Sequence, residues 1–142
     1  MLRVKHLLAR KGSEIWSVDA AEPVLKAIQI MADHHIGALP VLSEGRLAGI
    51  ISERDYARKV ILKGRSSADT AVRQIMSSPV VTVEPEDGVR HCMELVTAKR
   101  IRHLPVVEGD RMVGMISIGD LVRAVIEEQQ ETIEQLERFI TG

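Results

Sequence analysis

The chain has 142 residues, of which 45% are apolar and 27% charged, with a net charge of -1; that composition fits a folded chain with a core of its own and excludes a disordered one or one large basic field for nucleic acid. Trp16, Tyr56 and Phe139 are its aromatic residues, too few for base-stacking platforms. Cys92 is the single cysteine, so an intramolecular disulfide is excluded, and such usage fits a reducing compartment.

Residues 2–10 read as a short basic amphipathic helix that Gly12 and Ser13 terminate. They lack a long apolar stretch, and no apolar run reaches the roughly 18 residues of a membrane span. A cytoplasmic protein without a membrane partner is the expectation, an organellar presequence the other reading. A short strand at 16–18 follows, then a helix start at 19–22, where Asp19 supplies a capping carboxylate. Val24, Ala27, Ile28 and Met31 fall at i, i+3, i+4, i+7, the apolar face of a helix. The apolar runs 39–42 and 47–51, separated by a polar turn with Gly45, predict a hairpin in a well-buried sheet. A second helix begins after Ser52.

The same order then recurs. A shift of 65 residues lays 17–61 over 82–126 without a gap, with 14 of 45 pairs identical. In the second copy, 80–83 is the short strand, Pro85 stands at the first helical position of the start at 84–87, and Val89, Cys92, Met93 and Val96 repeat the apolar face, which makes Cys92 a core residue. Val4, Leu7 and Leu8 match Val72, Ile75 and Met76 at an offset of 68, so each copy is preceded by a short helix. The fold class is therefore α/β (α+β), with two tandem strand-helix-strand-strand-helix repeats, 1–64 with the N-terminal helix and 65–142 with the linker helix. Copies of about 60 residues are marginal alone, and face-to-face packing as a pseudo-twofold pair, with ligand clefts between them, is expected.

Both copies carry Gly-x-x-Ser-x-x-Asp: Gly49, Ser52 and Asp55, then Gly114, Ser117 and Asp120. A serine at a helix N-cap with an acidic residue three positions later is a capping box. The same group is also suited to an anion at the helix N-terminus and to sugar hydroxyls on the carboxylate. Spacing alone does not separate the two readings.

These residues, with 82–85, 36–41 and 101–106 in register, resemble the tandem cystathionine-beta-synthase (CBS) domain pair, or Bateman module, over about residues 15–126, in the manner of the small stand-alone bacterial pairs. The resemblance implies a non-catalytic regulatory module that binds adenine nucleotides, AMP foremost, with ADP, ATP, NAD/NADH or S-adenosylmethionine as other members. Carried over by position, one site uses Val80, Thr82, Arg102, His103, Ser117 and Asp120, with Arg54 and Arg58 approaching its phosphates. The pseudo-symmetric site uses Ile15, Ser17, Gly37, Ala38, Ser52 and Asp55, and has Ile118 and Gly119 where the first has arginines, so phosphate is expected to bind more tightly at the Asp120 site.

No phosphate-binding loop, nucleophile elbow or catalytic Cys/His cluster occurs in the sequence, and the histidines have no metal-ligand spacing. No enzyme activity and no metal ligand are expected. The alternative function is a dimerisation scaffold without ligand. From Asp120 to Ile140 the chain contains neither Gly nor Pro, and Val122, Ile126, Gln129, Ile133, Leu136 and Ile140 follow a 4-3-4-3-4 spacing. That seam predicts a long C-terminal helix and a homodimer. A separate effector protein would receive the signal.

Overall fold

The structure is a computed structural model and describes residues 2–12 and 14–141; Ser13, expected to share in ending the first helix, lies outside them. The chain forms two compact units, 14–81 and 1–13 with 82–142. The continuous division at 64/65 differs from this. The opening helix packs with the second copy's sheet, and the linker segment stays with the first copy.

In the unit 14–81, β1 (Val18–Asp19) pairs in parallel with β2 (Ala38–Ser43), which pairs antiparallel with β3 (Arg46–Ser52). The hairpin turns at Glu44 and Gly45, both at positive φ (52° and 78°), the conformation a two-residue reverse turn between strands requires. Between β1 and β2 runs α2 (Val24–His34), whose Val24, Ala27 and Met31 are buried. Val18, Ala20, Leu39, Val41, Ile51, Val60, Val72 and Ile75 join them in the core. After β3 come α3 (Glu53–Tyr56), a π-helical turn (Ala57–Ile61) and, further on, a 3-10 turn (Val72–Gln74).

The other unit repeats the plan. Its helix α4 (Val89–Lys99) buries Val89, Cys92 and Val96, with Met93 partly buried, and the hairpin β4 (His103–Glu108) and β5 (Arg111–Ser117) carries the same register break after its central valine as the first. The helix α1 (Val4–Lys11) ends at Gly12 with φ 95°. The last element, α5 (Ile118–Thr141), is 24 residues long.

Two expectations are corrected. The helices start later than the signals at 19–22 and 84–87, at Val24 and Val89, so Pro85 lies ahead of the helix and not at its first position. Asp19 accepts the Ala21 N–H (2.9 Å), so this carboxylate closes a turn ahead of the helix instead of capping it, and Asp87 closes the equivalent turn on the Glu84 N–H (2.8 Å). The first strands are also shorter: pairing covers Val18–Asp19 instead of 16–18, and in place of 80–83 a single bridge joins Val83 to Val106.

Three hydrogen bonds, equivalent in the two units, fix the opening segments. Val4 N–H donates to the Asp87 carbonyl, as Val72 does to Glu22; Lys5 donates to Pro85, as Arg73 does to Ala20; Val89 donates to Leu2, as Val24 does to Thr70. The repeated glycines explain the fit. A Cβ on Gly114 would stand 2.5 Å from Leu8 Cδ2, and one on Gly49 2.6 Å from Met76 Sδ and 2.9 Å from the Ser77 carbonyl oxygen.

Candidate functional site

Each hairpin delivers its last residue, a serine, to the start of a helix. Ser52 closes β3 opposite Ala38, and the Glu53 N–H donates to the Gly37 carbonyl (3.0 Å). The strand–helix corner thus gathers Gly37, Ala38, Ser52 and Asp55. Ser117 closes β5 opposite His103, and the Ile118 N–H donates to the Arg102 carbonyl (2.8 Å), which gathers Arg102, His103, Ser117 and Asp120.

Both corners contain a complete capping box. The Asp55 N–H donates to Ser52 Oγ (3.1 Å), and Asp55 Oδ2 accepts from the Ser52 N–H and hydroxyl, each at 3.0 Å. The Asp120 N–H donates to Ser117 Oγ (3.2 Å), and Asp120 Oδ2 accepts the Ser117 N–H (2.8 Å). Each aspartate is largely buried, with 13% and 15% of its side chain exposed. A carboxylate so placed needs compensating charge.

A lysine supplies it in each unit, from a different element. Lys59, one helical turn after Asp55, lies 3.3 Å from Asp55 Oδ1 and donates to the Ile75 carbonyl (3.0 Å). Lys11, at the end of α1, donates to Asp120 Oδ2 (2.8 Å) and to the Met115 carbonyl (2.9 Å). Arg123 Nη1 stands 3.8 Å from Asp120 Oδ1. Burial works to raise the Asp120 carboxyl, and the hydrogen bonds from Lys11 and the Ser117 N–H outweigh it, so the group is held below the ordinary aspartate value. His103 is displaced in the same direction, first by burial and then by the charge of Lys11, and favours its neutral form.

The remaining residues assigned by resemblance are less tightly gathered. Thr82 is exposed and adjoins Val83, whose N–H donates to the Pro105 carbonyl of β4 (3.0 Å). Ile15 and Ser17 are partly buried just before β1, and Val80 is partly buried. Arg54 and Arg58 are exposed and belong to the compact unit 14–81. Lys11 and Lys59 were not among the assigned residues. The i, i+4 spacing from Asp55 to Lys59 is a readable pairing signal, whereas Lys11 matches Pro79 at the 68-residue offset and the repeat carries no sign of it. Among the described residues there is no cluster of His, Cys, Asp or Glu that could hold a metal.

Two sheet-and-helix units in tandem, each ending its hairpin in a serine- and aspartate-capped helix, define a paired-repeat module. The chain belongs to the CBS domain family, whose model matches residues 4–62 and 72–127. It is 46% identical over 136 residues to the CBS domain-containing protein CBSX3, mitochondrial, of Arabidopsis thaliana, spanning 92% of this chain and 66% of that protein. A solved structure of a protein with CBS domains from Burkholderia ambifaria MC40-6 is similar with a TM-score of 0.86 and 46% identity, over 90% of this chain and 96% of that one. The CBS domain pair of protein MJ0100, solved in complex with 5'-methylthioadenosine and S-adenosyl-L-methionine, is similar with a TM-score of 0.80 and 25% identity, over 90% of this chain and 98% of that one.

Proposed function

We propose that the chain is a non-catalytic sensor that binds adenosine-containing ligands at its Ser-x-x-Asp corners and passes the signal on through its assembly or through a separate effector protein. The observation that carries this reading is the doubled corner: a largely buried aspartate at a helix start, beside a strand end, in both units. A carboxylate there accepts two hydrogen bonds from a ribose diol, and the helix N-terminus favours an anion. The ligands of the MJ0100 pair share an adenosine and lack a phosphate, which makes adenine and ribose the common part and leaves the phosphates to select among relatives. AMP is the first candidate, with ADP, ATP, NAD/NADH and S-adenosylmethionine beside it. Asp120 and Asp55 take the ribose and Ser117 and Ser52 the ribose or phosphate. His103 and Ala38, with Arg102, Gly37, Val80, Thr82, Ile15 and Ser17, line the base or sugar, and Arg54 and Arg58 are the phosphate cations.

A thermal-shift panel with these ligands tests the reading, since a native-state ligand at 100 times its Kd stabilises by about 2.7 kcal/mol. A selective rise of several degrees supports it; no shift with any adenosine ligand overturns it. The second reading, a homodimerisation scaffold without ligand, is favoured by one observation: both aspartates are already satisfied by capping hydrogen bonds and a lysine.

A further inference from the structure

Helix α5 turns Leu121 and Ala124 into its own unit, where both are buried, while the face carrying the 4-3-4-3-4 seam stays open: Ile126 is 59% exposed, Ile133 48% and Leu136 57%. Beyond Ile126 every described residue of the helix is exposed. The opening helix covers a different side, where Arg10 pairs with Glu127 and the Leu2 N–H donates to Glu128 (3.3 Å). Among the described residues nothing covers the apolar seam.

We propose that α5 pairs with α5 of a second copy of this chain in antiparallel orientation, with Arg123 facing Glu137 of the partner subunit. The two flanks of the seam decide the orientation. One flank carries Val125, Thr132 and Phe139, the other Arg123, Gln130 and Glu137. A parallel pair sets one flank against the other, so that Thr132 meets Glu137 and Val125 meets Gln130 across the interface. An antiparallel pair sets each flank against itself. The apolar flanks then bring Val125 to Phe139 of the partner subunit, twice by symmetry, and the polar flanks bring Arg123 to Glu137 of the partner subunit, also twice. Opposite charges meet on one side and apolar side chains on the other, which is the complementarity a second copy supplies.

The inference rests on the homodimer reading and is independent of the nucleotide. Sedimentation at tens of micromolar is expected to give a dimer for the full chain and a folded monomer for Ile133→Glu, whose site is exposed in the single chain. A monomeric wild-type chain, or a dimer undisturbed by Ile133→Glu, overturns the use of this seam. Orientation is read separately. Arg123→Glu or Glu137→Arg alone is expected to weaken the dimer about tenfold, because each introduces repulsion at two symmetric contacts, and the double exchange to restore it. Spin labels on Thr141→Cys lie about 30 Å apart along the axis in the antiparallel pair, from a 1.5 Å rise per residue, and side by side in a parallel one. Labels side by side, or no rescue by the double exchange, overturn the proposal while leaving the homodimer standing.

Discussion

Lys11 Nζ donates to Asp120 Oδ2 at 2.8 Å, and it reaches that carboxylate from the opening helix, whereas the equivalent Asp55 is met at 3.3 Å by Lys59 of its own helical segment. The copies thus reach the same electrostatic solution by different routes. Ala124 occupies the position equivalent to Lys59 and is buried, so no lysine fits there. Removing Lys11 takes away the leading hydrogen bond that lowers the Asp120 carboxyl. Lys11→Met is therefore expected to raise the pH at which the Asp120 carboxyl titrates, read by carboxyl-carbon NMR; an unmoved titration contradicts the pairing.

Stability in acid follows from Asp120 and His103 together. The folded-state pKa of Asp120 is lowered, so its contribution is present above the unfolded value near 3.9 and is lost as pH falls through the folded value. His103 is also lowered. The unfolded chain then binds more protons below about pH 6.5, and stability declines from there down to the folded value. Denaturation midpoints in urea are expected to fall with acidification from about pH 6.5 in the wild type and to stay flat over that upper limb in His103→Gln.

The repeated glycines mark close approaches, not flexible joints. Gly49→Ala meets both a flexible sulfur and the Ser77 backbone oxygen, Gly114→Ala the end of Leu8 alone. Overpacking of this kind costs about 1–3 kcal/mol, with Gly49→Ala the more damaging. Adding Leu8→Ala to Gly114→Ala is expected to give a double mutant more stable than additivity predicts, read from a double-mutant cycle in urea; strict additivity contradicts the contact.

Burial pushes the Cys92 thiol up to about 11, with the charge of Asp87 adding to the effect. The native thiol is expected to resist alkylation at pH 8 and to react fully in denaturant, as the thiolate is the nucleophile. Rapid native labelling contradicts a core cysteine.

Much of this architecture was legible in the residues themselves. Identities at Gly49/Gly114, Ser52/Ser117 and Asp55/Asp120 placed the hairpins, the capped helix starts and the helical faces around Met31 and Cys92. The exchange of opening segments was not legible, because Val4, Leu7 and Leu8 and their counterparts Val72, Ile75 and Met76 present equivalent apolar side chains, and either set satisfies either sheet. Asp19 serves a turn where a cap is expected for a related reason, since an aspartate ahead of an apolar face fits either, and Pro85 suits a turn as well as a first helical position. The role of Lys11 is not readable in the sequence, because it depends on where α1 docks.

The most direct test of the central claim is a calorimetric titration of AMP into the wild type and into Asp55→Ala, Asp120→Ala and their combination. Each substitution also removes a cap worth about 1 kcal/mol, so folding is checked first by thermal unfolding. The account predicts that the wild type binds, that Asp120→Ala weakens binding at least tenfold at its site, and that the folded double variant does not bind. Undiminished binding by the double variant, or a wild type that takes up neither AMP nor any other adenosine ligand, would contradict it.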